Sequence, residues 1–326
     1  MMLLNMKELL EVADKNKFAI PAFNIADYAM FNGIMDISER MNAPVIVEIH
    51  PTELKHIGSD VIEGMIKRAS LSPIPVVIHL DHGDSFKSVM AAIRAGFSSV
   101  MIDASALPFD ENVAITKKVV EAAHAAVSYT TVEAEDDPRK ADDPEDKNHW
   151  HYAQSYHFAN VSVEAELGTI GVIDEKNKIV DNSVIKYTEP EDALRFVKET
   201  GCDTLAIAIG TSHGDYPKDQ VPELKLDRLK AIKKALVDAG LDTKLVLHGG
   251  SGNKPEELQE ASRLGINKIN ISTDIKKPYY NKMREVLQDT SLREPNAIQP
   301  PCVQSMQVVA AERIRWFGSE GKASLY

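Results

Sequence analysis

Pro75-Val-Val-Ile-His-Leu-Asp-His-Gly83 begins as an apolar run and ends, within a few residues, in groups that ionise. Thr204-Leu-Ala-Ile-Ala-Ile-Gly-Thr-Ser-His-Gly214 and Lys244-Leu-Val-Leu-His-Gly-Gly-Ser-Gly252 follow the same plan. Each reads as a strand covered on both faces whose last residues become His beside Gly. Buried strands that all deliver chemistry at their carboxyl ends are the mark of an α/β barrel. His82, His213 and His248, delivered in this way, can meet around one Zn²⁺ with a coordination position left open. An enzyme is the leading reading.

Working outward, the same Val/Ile/Leu/Ala texture without polar alternation recurs at residues 19–25, 44–50, 99–105, 161–168 and 268–274. Together with the three quoted runs this makes eight strands. Between them, residues 30–41, 86–95, 111–125, 190–200, 226–239 and 255–264 carry apolar positions at helical period. Asn42, Gly96, Gly201, Gly240 and Gly265 stand where helix C-caps are needed. Strand and helix in alternation predict a single (β/α)8 TIM barrel over residues 1–326, closed by right-handed crossovers. An open, doubly wound sheet is the weaker alternative, because no Gly-rich dinucleotide fingerprint follows the first strand.

Residues 127–160 break the rhythm, since barrel connections normally need only ~2–6 residues. The segment is acidic from Glu133 to Lys147 and then rich in aromatics and His. Val127-Ser128 and Val132-Glu-Ala-Glu135 echo Val161-Ser-Val-Glu-Ala-Glu166, so either copy can be the fifth strand. The later copy keeps the spacing and is chosen. The insertion is then expected on the barrel face opposite the active site, as a flexible element or oligomer contact rather than a second metal site of His149, His151 and His157.

The balance of charges, −12 overall, argues against general affinity for nucleic acid or an anionic membrane. A phosphate would therefore have to be held by local backbone N–H groups and a metal. Cys202 and Cys302 suggest no disulfide framework, the N-terminus does not read as a signal peptide, and no apolar stretch reaches spanning length. A cytoplasmic protein is expected.

Ionisable residues at the ends of buried strands are unfavourable unless paired or bound to metal. Here ionisable and other polar residues collect at nearly every end: Asn24, Glu48, His50, Asp81, Asp84, Asp103, Ser105, Glu164, Glu166, Ser272 and Asp274, besides the three His. Asp81, beside a candidate metal ligand, is a natural proton donor and acceptor; its blander role is to orient a His ring. Glu164, Glu166 and Asp103 suit either an alternative metal position or the orienting of His ligands. His79 is expected to be structural, because strand alternation turns it away from the face of His82. The Gly-rich run 248–252 and the hydroxyls at 272–273 follow strands seven and eight, where barrels commonly hold phosphate. From the residues alone, the substrate is a phosphorylated carbonyl compound polarised by Zn²⁺.

Leu80-Asp-His-Gly83, Ser99-Val-Met-Ile-Asp-Ala-Ser105, Val163-Glu-Ala-Glu-Leu-Gly168, Ser212-His-Gly-Asp-Tyr216, His248-Gly-Gly-Ser-Gly252 and Asn270-Ile-Ser-Thr-Asp274 together resemble the class II, zinc-dependent ketose-bisphosphate aldolases. The resemblance implies Zn²⁺ on His82, His213 and His248, and Asp81 as the proton donor and acceptor. It implies dihydroxyacetone phosphate on Asn24, Gly214, Gly249, Gly250, Ser251, Asn270, Ile271, Ser272 and Thr273, with Na⁺ or K⁺ near the phosphate. Asp103 and Glu166 match a second metal position in some relatives, and Asp174 or Glu175 is the base expected on the loop after the fifth strand. A homodimer or homotetramer acting on a phosphorylated sugar is implied, without nucleic-acid or membrane partners. The loop Gly171-Val-Ile-Asp-Glu175 lacks the family's second Gly, which raises a competing reading: a non-catalytic metal-binding sugar-phosphate sensor or inactive paralogue.

Overall fold

The computed structural model describes residues 2–134, 154–169, 171–173, 179–180, 186–213 and 223–326. In chain order its strands are β1 (Ile20–Asn24), β2 (Val45–Ile49), β3 (Val76–Gly83), β4 (Ser99–Ile102), β5 (Val127–Ala134), β6 (Gln154–Asn160), β7 (Ser162–Leu167), β8 (Gly171–Ile173), β9 (Ile179–Val180), β10 (Thr204–Ile207), β11 (Ser212–His213), β12 (Lys244–Leu247) and β13 (Ile266–Ile271). Eight of them close a parallel barrel in the order β1-β13-β12-β10-β7-β4-β3-β2. The predicted TIM barrel is therefore the observed fold.

The expected helices are α2 (Tyr28–Arg40), α5 (Phe86–Arg94), α6 (Phe109–Ala125), α7 (Pro190–Thr200), α8 (Leu226–Asp238) and α9 (Pro255–Arg263). Their apolar faces cover outward-facing strand residues such as Phe23, Val47, Ile78, Leu80, Val100 and Ile269 in one continuous core. Outside that expectation lie α1 (Met6–Lys15), α3 (Pro51–Ile57), α4 (Ser59–Ser70), α10 (Thr273–Val286) and α11 (Pro295–Trp316). No helix among the described residues is long and apolar enough to cross a membrane.

Helix α1 has a positional task. Asn5 caps it by accepting from Glu8 N–H at 2.9 Å, and Met6 N–H donates to Ser162 Oγ at 2.8 Å. Met6, Leu9, Leu10 and Ala13 then pack on Ile20, Ala22, Ile46 and Val77, the inward residues at the starts of three strands. This stoppers the N-terminal end of the barrel with apolar side chains, each contributing roughly 1.5–3 kcal/mol by burial.

The insertion begins as an antiparallel pair, β5 with β6, attached just before β7. Its two ends meet where Val161 N–H donates to the Ala126 carbonyl, and Asn5 ties the base down through the Asn160 carbonyl. The later copy of the duplicated motif is thus the fifth barrel strand, and the earlier copy is a hairpin strand outside the barrel. His149 and His151 lie outside the described residues; His157 is on β6.

On the outer layer, Arg68 of α4 makes two hydrogen bonds to Glu39 of α2, at 2.7 and 2.8 Å. Those bonds hold the Glu39 carboxyl below its ordinary range, with burial opposing. A lowered carboxyl contributes stability above its unfolded value, near ~4.3, and loses it as pH falls through the folded value. Arg68→Met is expected to lower stability by about 1 kcal/mol at neutral pH. The difference should shrink as pH falls below about 4.3 and vanish only below the lowered folded value; denaturation midpoints that are equal at neutral pH would refute the pairing.

Candidate active site

By strand alternation Asp81 and His82 should face opposite ways. They do not. The β3–β4 register slips between Leu80 and Gly83, and His82 takes φ 45°, in the left-handed region. This bulge turns both side chains toward the C-terminal mouth of the barrel, an established use of bulges beside functional sites. It also corrects the facing expected of His79 relative to His82, while its structural role stands. His79 faces inward, beneath the mouth, with Nδ1 2.9 Å from Ser99 Oγ and Nε2 3.6 Å from Glu164 Oε2. Burial pushes its imidazole down to about 3, so it serves as a neutral structural ring.

Gly83 makes the bulge possible, because a Cβ there would lie 2.3 Å from the Met101 carbonyl oxygen. That same close approach lets Asp103 N–H donate to the Gly83 carbonyl at 3.0 Å. Asp103 is thereby brought against His82, Oδ2 to Nδ1 at 2.8 Å, and its other oxygen accepts from Ser105 N–H and Oγ. Across the mouth, His248 stands with its ring centroid 4.8 Å from that of His82. Its Nε2 is held by Glu164 Oε1 at 2.8 Å, and its Nδ1 is 3.2 Å from Glu166 Oε2. Each ring therefore has one nitrogen secured by a carboxylate and its other edge turned to the mouth.

Asp81, His82 and His248 each offer a donor atom within 4.8 Å of the others, and so do His82, Asp103 and Glu166. Imidazole edges with carboxylates behind them suit a borderline divalent cation such as Zn²⁺. Burial opposes charge on both rings, but Asp81, Asp103 and Glu166 push His82 up to about 9, and Glu164 and Glu166 push His248 up to about 10. The negative field that retains these protons is one that a divalent cation would satisfy in their place.

Asp81 is held well below the usual carboxylate range: burial alone would raise it, but His82, His248, Lys268 and Asn24 more than reverse that. Asn24 Nδ2 donates to Oδ2 at 2.7 Å and Asn270 Nδ2 to Oδ1 at 3.2 Å. The two asparagines, expected at the substrate, are thus also a clamp on the candidate acid/base. With them, Gly249, Ser251, Ser272 and Thr273 line a cavity of about 730 Å³, the N-terminus of α10 among them. Gly250 lies beneath this lining, where a Cβ would meet Ile269 Cγ2 at 2.5 Å. The side chain of Ile271 is buried in the outer core, leaving only its backbone for a ligand. The cavity lining also includes His50, Glu53, Asp84 and Lys276, with Lys276 paired to Glu53.

The backbone of His213 is described on β11, paired with β8. Its ring, Gly214, Asp174 and Glu175 lie outside the described residues. Sequence reasoning missed Lys268, which is completely buried beneath the mouth and bridges Glu48 and Glu164 at 2.7 to 2.9 Å. The available signal was the alternation Lys268-Ile-Asn-Ile271, in which the polar positions are the inward ones.

The family model for class II fructose-bisphosphate aldolase matches residues 4–137 and 147–322. The chain belongs to the class II fructose-bisphosphate aldolase family. It is 35% identical to the fructose-bisphosphate aldolase of Geobacillus stearothermophilus over 330 residues, covering 99% of this chain and 100% of that one. It is also 35% identical to the 6-phospho-5-dehydro-2-deoxy-D-gluconate aldolase of Bacillus licheniformis over 329 residues, with 99% and 97% covered. Among solved structures, the YdjI aldolase of Escherichia coli K12 superposes with a TM-score of 0.76 at 30% identity, covering 99% of this chain and 100% of that one. This class II aldolase is accordingly a lyase of a metal-dependent family, with groups suited to a metal at its barrel mouth.

Adding one methyl group tests whether the bulge organises the site. Gly83→Ala in this aldolase is expected to destabilise the fold by about 1–3 kcal/mol through overpacking and to weaken divalent-metal binding. Calorimetric unfolding together with a metal titration checks both effects; unchanged metal affinity would show that the His82 position does not depend on Gly83.

Proposed function

We propose that this aldolase is Zn²⁺-dependent and reversibly cleaves a ketose 1,6-bisphosphate, fructose- or tagatose-1,6-bisphosphate, to dihydroxyacetone phosphate and glyceraldehyde 3-phosphate. The observation that carries the reading is the meeting of Asp81, His82 and His248 at the barrel mouth, donor atoms within 4.8 Å, in a cavity also lined by Gly249, Ser251, Ser272 and Thr273. In this reading His82, His213 and His248 hold the cation, and Asp103 and Glu166 offer a second position. The cation, when bound, supplies an electron-withdrawing centre at the ketone oxygen.

The remaining work falls to the chain. Asp81, ionised and fixed by Asn24 and Asn270, accepts the proton of the C4 hydroxyl as the C3–C4 bond breaks and returns it on condensation. Gly214, Gly249, Gly250, Ser251, Asn270, Ile271, Ser272 and Thr273 hold the phosphate of the ketone fragment, with Na⁺ or K⁺ beside it. Phosphate affinity then rests on local N–H groups in a chain whose net charge is −12. Asp174 or Glu175 exchanges the proton of that fragment. The relatives' names support this division. A ketose 1,6-bisphosphate and a 6-phospho-5-dehydro sugar acid share a ketone next to a phosphate-bearing carbon and differ at the far end. A cytoplasmic homodimer or homotetramer completes the reading.

A coupled cleavage assay on fructose and tagatose bisphosphates, before and after chelation, tests it. Activity should fall at least about 100-fold on stripping and return with Zn²⁺; full activity without metal would overturn the proposal. Asp81→Ala should lower kcat by roughly 10²–10⁴-fold, and normal turnover would remove Asp81 from the mechanism.

A further inference from the structure

The most unusual group left unused by this chemistry is Lys268, with no exposure to solvent. A buried ammonium persists only where carboxylates surround it. Here its Nζ lies 2.9 and 2.8 Å from the two oxygens of Glu164 and 2.7 Å from Glu48 Oε1. Glu164 in turn lies 2.8 Å from His248 Nε2. We propose that the Lys268–Glu164 pair is a positioning device that selects which nitrogen of His248 reaches the metal position. The inference rests on His248 being a metal ligand.

An ammonium gives hydrogens to both Glu164 oxygens, so Glu164 is a carboxylate and can only accept. The hydrogen between it and His248 must therefore sit on Nε2, and Nδ1 is the edge delivered to the mouth, on the side of Glu166. His82 is set the opposite way: Asp103, backed by Ser105, holds its Nδ1 and leaves Nε2 at the mouth, 3.8 Å from Asp81 Oδ1. The two rings thus present different nitrogens, and each choice is made by a carboxylate that is itself held. For His82 the backing is a hydroxyl near solvent. For His248 it is an ammonium sealed in the barrel. Without Lys268, Glu164 keeps beside His248 the longer contact to His79 Nε2 at 3.6 Å, and the tautomer of His248 is no longer enforced by an ammonium.

The test is Co²⁺ affinity, measured by competition with a chromophoric chelator, and the visible spectrum of the Co²⁺ protein. Lys268→Met is expected to bind Co²⁺ about 10–100-fold more weakly, the range for loss of a ligand-orienting partner, with an altered spectrum. Glu48→Gln replaces the other carboxyl group beside Lys268 with a neutral amide and should stay within about threefold of wild type. An equal loss in both would show that any disturbance around Lys268 matters, not its hold on Glu164, and would overturn the proposal. If Lys268→Met does not fold, the Glu164→Leu/Lys268→Met double variant removes both buried charges together and should show the same 10–100-fold loss. Wild-type affinity and spectrum in either folded variant overturn the proposal. A wild-type protein that takes up no divalent metal would instead remove the metal centre of the proposed function.

Discussion

The site depends on one irregularity in one strand. A regular strand can aim only one of two consecutive residues at a given face, yet Asp81 and His82 both serve the barrel mouth. The register slip and the φ of 45° at His82 resolve the conflict. A left-handed non-glycine residue costs roughly 1–2 kcal/mol, and the surroundings offset it. Asp103 takes His82 Nδ1, and the Gly83 carbonyl is satisfied by Asp103 N–H. The bulge, the glycine after it and the carboxylate on the next strand form one unit; removing any of them leaves the other two without a purpose.

Beneath that unit the barrel interior changes character layer by layer. At the bottom, Ile20, Ala22, Ile46 and Val77 meet the apolar face of α1. In the middle stand Glu48, His79, Glu164 and Lys268, all without solvent exposure. At the mouth come Asn24, Asp81, Asp103, Glu166, His248 and Asn270. An all-apolar middle layer would be at least as stable, because desolvating a buried ion pair can exceed its Coulombic gain. What the polar layer supplies is orientation: every inward group at the mouth rests on a partner whose own geometry is fixed. The apolar stopper below it keeps water from the N-terminal side, so those interactions act in a low-dielectric setting.

The sequence made the frame readable because its signals are local. Apolar runs, positive-φ stops such as Gly201 and Gly240, and the helical periods between them each depend on a few neighbouring residues. The strand ends were readable for the same reason, since a carboxylate or imidazole closing an apolar run is conspicuous. Two things were hidden. Lys268 opens a run that looked uniformly buried, and only barrel closure places it beside Glu48, since the two are far apart in the chain. The facing of His82 was hidden as well, because a bulge is a property of pairing with β4 and leaves no period in β3. The clamp of Asn24 and Asn270 on Asp81 likewise joins three strands. Pattern reading therefore reached residues that the barrel brings together at its mouth, but not their orientation.

The two walls of the cavity are built to different standards. Strand ends and the start of α10 form the wall with Asp81, the histidines, Gly249, Ser251, Ser272 and Thr273, and the strand backbones are fixed by the barrel ladder. The facing wall hangs on α3, whose start is organised by His50 N–H donating to Glu53 Oε2 at 3.0 Å while the other Glu53 oxygen pairs with Lys276. A substitution at His50 or Lys276 changes this lining without moving a strand. A substitution at Gly83 cannot do that. A family whose members act on a sugar bisphosphate in one case and a phosphorylated sugar acid in another needs this separation: invariant chemistry on the ladder, adjustable recognition on side chains at the start of a short helix.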